Sequence, residues 1–403
     1  MKTKKSLFSA LLVLAISVAC SLPNLTATDE PATPADNPPL QTTEAAASGA
    51  IPLPAGLTVV SSPSLVFVDF QDEDNGWGIS TSGNGNILRT QDGGSTWLDV
   101  TPADLSEISY STHLSLLDVN TAWALIQGED FYSGTLYRTQ DGGASWTSSP
   151  VPFSGGDLQF LDASTGRILA DRGVGAGSNA VELYQTSDGG TTWVSVFHND
   201  PSQPGSSDTL PLGGIKSGMT FFDPDTGWVT GSRPMEGDIY LFVTHDGGSS
   251  WNLQPIPVSP EKAGCQFNTF PPVFFGQDGF LPILLYFPSG PVQQVFYVTH
   301  DGGTTWTADL SSASQIIVPV GQYSFADALH GFSWMGGPNI FYTTDGASTW
   351  SSRSSDLDLS DSLSMIDFID GSMGWVLTGP GDSGQSRLYQ TSDGGGTWTQ
   401  LLP

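Results

Sequence analysis

Thr90-Gln91-Asp92-Gly93-Gly94-Ser95-Thr96-Trp97 decides the fold, because the chain writes this phrase seven times. The pattern is Thr-x-Asp-Gly-Gly-x-Ser/Thr-Trp. Its aspartates are Asp92, Asp141, Asp188, Asp246, Asp301, Asp345 and Asp393; its tryptophans are Trp97, Trp146, Trp193, Trp251, Trp306, Trp350 and Trp398. Successive aspartates are 49, 47, 58, 55, 44 and 48 residues apart. Self-similarity at such a period marks a repeat architecture, in which stacked supersecondary units share a core.

Each repeat follows one plan. An alternating apolar run such as Leu65-Val66-Phe67-Val68 comes first, then an Asp/Asn/Gly turn. A second run opens on Trp77, Trp123, Trp228 or Trp375; Arg167, Phe280 and Phe332 replace the tryptophan in the third, fifth and sixth repeats. A third run leads into the phrase, and its tryptophan starts a fourth. Short runs of period two between turn residues are strands. Four strands per repeat and seven repeats predict an all-β, seven-bladed β-propeller of four-stranded antiparallel blades, one phrase per blade, over residues 56–403. The last strand, Trp398 to Leu402, ends the chain, so Leu57–Val60 is expected to close the ring as an added strand beside it.

The residue types in the phrase explain one another. An aspartate can accept hydrogen bonds from the N–H groups of its own turn. Glycines admit positive φ. A Ser/Thr hydroxyl can add a further bond. The tryptophan is large enough to fill the wedge between blades. Seven equivalent carboxylates spread around a ring cannot converge on one site, so the aspartates read as structural, and His245 and His300 beside two of them as turn residues. With the phrase and second-strand tryptophans assigned, Trp334 remains as a candidate stacking platform.

The phrase resembles the Asp-box, or BNR repeat, with Ala347 in place of the second glycine in the sixth copy. Asp-boxes occur in sialidases, a resemblance that implies three arginines on the substrate carboxylate. Here seven arginines are scattered singly, and Ser232-Arg233-Pro234 stands where an Arg-Ile-Pro signature would be sought. The chain as a whole resembles the photosystem II stability and assembly factor-like proteins, some of which carry a lipoprotein signal. That resemblance implies a non-catalytic propeller scaffold binding a protein or a surface glycan, with a glycoside hydrolase as the alternative. The arginine-rich central patch of the photosynthetic members has no counterpart of that density here.

The ends and the charge set the location. Lys2, Lys4 and Lys5 precede an apolar stretch from Leu7 to Val18, the form of an export signal. Ser17-Val18-Ala19-Cys20 resembles a lipoprotein box, so residues 1–20 are read as a signal with Cys20 lipidated and exposed on the outer face of a bacterial membrane. Residues 21–55, rich in Pro, Thr, Ala and Ser, read as a disordered tether. Cys265 then has no partner in the chain, which excludes a disulfide framework or a cysteine metal cluster. The chain has 12 basic and 41 acidic residues, a net charge of −29. That disfavours nucleic acid, which needs a basic footprint. No catalytic residue, metal or cofactor is assigned, and the protein is expected to be a monomer.

A site is therefore sought in the loops opposite the phrases. Those between second and third strands offer Glu129, Asp130, Phe131 and Tyr132, and Arg233 and Glu236. Two long inter-blade links, 199–217 and 253–271, stand out, and the second carries Lys262, Phe267 and Phe270. Aromatic and charged side chains on loops over a rigid ring suit a binding surface.

Overall fold

A computed structural model describes residues 49–403 except 82, 106, 109–111, 131, 234, 236, 309–319, 360–361, 380–384 and 403. It is a β-propeller. Five repeats each form a four-stranded antiparallel sheet in simple sequence order, and the fourth and fifth share one sheet of eight strands. The first strands are Leu65–Phe70, His113–Leu116, Gly156–Phe160, Ile215–Phe221, Val273–Phe275, Gln322–Phe325 and Leu363–Phe368. At four junctions those of neighbouring repeats touch, which places them innermost. The second strands are Gly76–Ser80, Ala122–Gln127, Gly166–Gly175, Gly227–Ser232, Asp278–Tyr286, Gly331–Trp334 and Gly374–Thr378.

The shared sheet has a local cause. In the fifth repeat the inner edge is broken in two: Gln266–Thr269 and Val273–Phe275 both pair with Asp278–Tyr286. Pro271 and Pro272 sit at the break, where a residue without an N–H cannot continue a ladder. The detached piece also meets the fourth repeat through the single pair Ser232↔Asn268, which fuses the two sheets. The link 253–271 therefore does not remain a free loop to its end. Its last part is core strand.

Seven apolar clusters among the described residues join the repeats, and each contains one phrase tryptophan. Trp146 packs with Trp77, Trp193 with Trp123, Trp251 with Leu183, Trp306 with Trp228, Trp350 with Phe280 and Trp398 with Trp334. Trp97 of the first repeat packs with Trp375 of the last. The wedge role expected of these side chains is what the structure shows.

In five repeats a flat group near the start of the second strand completes the junction by stacking on the next repeat. Trp123 lies 3.6 Å from Phe160, Phe280 3.9 Å from Phe325, Phe332 3.6 Å from Phe368 and Trp375 3.7 Å from Phe70, all nearly parallel. Arg167 does the same as a cation, 4.2 Å over Phe221. The replacements in the third, fifth and sixth repeats thus keep a flat group at the joint.

The ring closes through this contact and not through an added strand. Leu57–Val60 pairs instead with the first repeat's own fourth strand, Leu98–Asp99: Val59 bridges Leu98, Val60 N donates to Trp97 O and Asp99 N to Thr58 O. A chain entering beside the first repeat satisfies the nearest open edge.

The glycine before the stacking residue is explained by its cross-strand partner. Gly227 pairs with Phe221, and a Cβ there would meet the Phe221 ring at 2.6 Å. Gly76 faces Phe70 at 2.7 Å in the same way. In the second repeat the pair is Ala122 and Leu116: where the aromatic shrinks, a methyl is admitted. Gly227→Ala is expected to destabilise the fold by about 1–3 kcal/mol through overpacking. Adding Phe221→Leu should recover part of that loss in a double-mutant denaturation cycle. Strict additivity would refute the steric account.

Polar rungs tie the inner strands together. Phe160 N donates to Ser115 Oγ, Phe221 N to Gln159 Oε1 and Phe368 N to Ser324 Oγ. At the closing seam the acceptor is a carboxylate: Phe70 N donates to Asp367 Oδ2 at 2.7 Å, with Asp69 as a second acid beside it. Burial, then the Asp69 charge, pushes the Asp367 carboxyl up to about 7. The folded protein therefore holds a proton that the unfolded chain releases in the ordinary carboxylate range. This contribution to stability is complete below that range and is lost as pH rises towards 7. Asp367→Asn, which keeps an acceptor for Phe70 N–H, should flatten the fall in melting temperature between about pH 4 and 7. An unchanged slope would place its origin elsewhere.

Candidate functional site

The two ends of the propeller differ in chemistry. At one end lie the Asp-box turns, held to the turn between first and second strands of the same repeat: Gly93 N donates to Asp74 O, Gly142 N to Asn120 O, and so on through Gly394 N to Ser372 O. Within each box the leading threonine, which sequence reasoning left unexplained, is the hub. Thr186 Oγ1 donates to Asp188 Oδ1 at 2.8 Å and accepts from Asp188 N and Gly190 N; Asp188 Oδ1 also accepts from Thr192 N, and Oδ2 from Thr192 Oγ1. The hydroxyl bond of Thr192 and the backbone bond it reinforces hold the Asp188 carboxyl down at about 2. Such a group is a fixed acceptor that takes three hydrogen bonds within its own turn. His300 Nδ1 is engaged by Asp278 Oδ1 at 2.6 Å, in line with a turn role. Among the described residues no group of three or more His, Cys, Asp and Glu is placed to hold a metal.

Burial raises three inner-strand carboxyls, Asp69, Asp157 and Asp367, a trait shared with catalytic acids. Each has a structural use. Asp157 Oδ2 accepts from Met219 N at 2.6 Å across a repeat junction, Asp367 serves the closing seam, and Asp69 Oδ1 accepts from Gln71 Nε2.

The opposite end carries the loops between second and third strands, and six exposed apolar side chains gather here; the box end exposes Leu253 and Leu329 and has a groove of about 530 Å³ lined by Trp228, Leu253, Gln254 and Asp301. Tyr132, Val174, Met235, Tyr286, Val292 and Met335 come from five consecutive repeats. Two cavities open among them. The first, about 660 Å³, lies between the second and third repeats and is lined by His113, Gln127, Tyr132, Asp171, Arg172 and the backbone of 154–156. The second, about 330 Å³, is lined by Ile215, Ser232, Arg233, Gln266, Asn268 and Tyr286. Between them stands the longest hairpin among the described residues, Gly166–Gly175 with Ser178–Thr186. Its register slips between Asp171 and Gly173. Such a bulge re-aims side chains, and here both Asp171 and Arg172 border the first cavity.

The residues singled out from sequence fall into three groups. Glu129, Asp130 and Tyr132 are exposed on the loop end, and Arg233 is half-buried there, paired with Asp238 at 3.2 Å and packed over Tyr240. Lys262 reaches Gln293 Oε1 and lies over Phe287, and Phe270 is half-buried. Trp334 and Phe267, each 1% exposed, are core residues. Trp334 stacks on Trp398 and donates to Gly337 O, leaving no face for a ligand, while Phe267, on the detached inner strand, packs with Leu281 and Leu285 and borders the second cavity. Cys20, Phe131 and Glu236 lie outside the described residues. Sequence reasoning missed Arg172, Asp171 and Gln127, which no motif marks.

The long link 199–217 is also anchored. Lys216 Nζ donates to Asn179 O, Pro211 O and Leu212 O at 2.6–3.0 Å. Burial, with the nearby Arg233 charge, lowers this amine to about 8. This cation is spent on fastening the link.

Residues 56–202 match a family model described as photosynthesis system II assembly factor YCF48. A search of curated proteins finds no match. Among solved structures, one described as YCF48 bound to D1 peptide is 18% identical, covers 85% of this chain and 99% of its own, and superposes with a TM-score of 0.50. A GH74 xyloglucanase from Xanthomonas campestris is 14% identical over 86% of this chain and 55% of its own, with a TM-score of 0.55. An ulvan lyase is 12% identical over 87% and 95%, with a TM-score of 0.51. At such identities the likeness is one of fold. The chain is an Asp-box β-propeller resembling photosystem II assembly factors.

Proposed function

We propose that this protein is an exported, lipid-anchored, seven-bladed and non-catalytic scaffold that binds a partner protein through its loop end. In this reading residues 1–20 are the signal, Cys20 carries the lipid, residues 21–55 are the tether and residues 56–403 present the propeller at the outer face of a bacterial membrane as a monomer. The observation that carries it is the contrast between the two ends. The box end uses its carboxylates, hydroxyls and tryptophans internally. The loop end leaves apolar side chains from five consecutive repeats in solvent, around two cavities. Exposed apolar side chains clustered over a rigid ring suit an interaction site. That an assembly factor of similar fold is described with a bound peptide is in keeping with a protein partner. The glycoside hydrolase alternative requires a free carboxylate pair facing a substrate. The raised carboxyls are instead hydrogen-bonded within and across repeat junctions.

A paired set of surface variants tests the reading. Met235→Glu with Met335→Glu should lose a partner captured by crosslinking in native membranes, while Leu253→Glu, bordering the groove at the box end, should keep it. The reverse pattern would place the interface at the wrong end. Cys20→Ser should release the protein from the membrane fraction, and retention there would remove the lipid anchor.

A further inference from the structure

We propose that the cavity between the second and third repeats is a binding site for a neutral saccharide unit. This goes beyond the protein-partner reading and does not depend on it. The cavity, about 660 Å³, lies within the range of about 300–1,000 Å³ usual for small-ligand sites. Its walls combine an aromatic face with closely set donors and acceptors.

Tyr132 supplies the aromatic face. Its ring lies 5.7 Å from the Arg172 guanidinium and is still 64% exposed, an arrangement with no purpose in the core. Arg172 stiffens the wall behind it. Its side chain is only 9% exposed and is held by Glu182 Oε2 at 3.0 Å, Pro152 O at 2.8 Å and Tyr184 Oη at 2.8 Å. Nη1 is buried as well, so the guanidinium holds the wall of the cavity in place rather than touching a ligand. Asp171, re-aimed by the bulge, supplies an acceptor: Oδ1 takes Gly173 N and Asn179 Nδ2, and no described donor reaches Oδ2. Gln127 is exposed at the rim. The backbone at 155–156 is bare of side chains, which lets a ligand ring approach closely.

Charge selects the class of ligand. The Arg172 cation is balanced by Glu182, and Asp171 adds a negative charge. Desolvation holds the His113 imidazole below its usual range, so it does not supply a compensating cation at neutral pH. A carboxylate, phosphate or sulfate entering this cavity meets net negative charge, within a chain of net charge −29. A neutral polyol meets none of that repulsion. Its hydroxyls match the Asp171 carboxylate and the Gln127 amide, and its C–H face suits Tyr132.

The test is a saturation-transfer NMR screen of the full propeller against neutral di- and trisaccharides of glucose, galactose and mannose, with a hexuronate disaccharide and a carboxylate-ended peptide as contrasts, followed by titration. At least one neutral sugar should bind. Tyr132→Ala, at an exposed position that leaves the fold intact, should weaken it at least ten-fold, and Gln127→Ala should weaken it less. The proposal is overturned if no neutral sugar binds, if only the acidic probes bind, or if both variants bind as the parent does. Retention of a membrane partner is read separately through Met235 and Met335, so failure of one reading leaves the other standing.

Discussion

Everything in this propeller depends on a joint that no repeat can make alone. In five joints a flat group near the start of a second strand lies against the aromatic ending the next repeat's first strand, while Trp77 meets Leu116 and Trp228 tilts against Phe274; a box tryptophan closes each gap from the side. Each face of each sheet is apolar and needs a neighbour. The repeats therefore have no stable end until the last packs on the first. Trp375 stacks on Phe70 and donates to Gly93 O, the same two contacts that Trp123 makes with Phe160 and Gly189 O in mid-chain. The closing seam is an ordinary joint in its apolar part and unusual only in its pair of carboxyls.

Much of this was legible in the residues. Aspartate, glycine and tryptophan at fixed spacing specify a locked turn and a wedge, and both are found. The threonine two residues before each aspartate was written seven times and went unread, although a hydroxyl placed to bridge a carboxylate and two N–H groups is what such a turn needs. The glycine before each stacking residue was also readable. The chain contains its own control in Leu116 and Ala122, where both partners change together.

The misreadings share a cause, which is that exposure depends on pairing rather than on residue type. Trp334 was singled out by elimination and proves to be the last residue of a second strand, shielded by Trp398. Phe267 was placed in a loop because Pro271 and Pro272 interrupt the alternation that would have marked a strand. Arg172 had no motif, and only a slipped register sets it at a cavity wall. Local pattern predicts elements; it does not predict which of two partners covers a side chain.

The same logic separates scaffold from site. A feature that occurs once per repeat is paid for by the ring and points everywhere at once, so it cannot recognise one ligand. Recognition requires broken symmetry. The departures described above fall in the third to fifth repeats: the long hairpin with its bulge, the inner strand split by prolines, the link fastened by Lys216, and the arginines at positions 172 and 233. Four of the protein's few cations, those of Arg172, Lys216, Arg233 and Lys262, lie in this arc, each engaged by carbonyls, carboxylates, an amide oxygen or aromatic rings. They organise the surface without making it basic. A face built in this way selects by shape, apolar contact and hydrogen bonding, with little help from long-range charge.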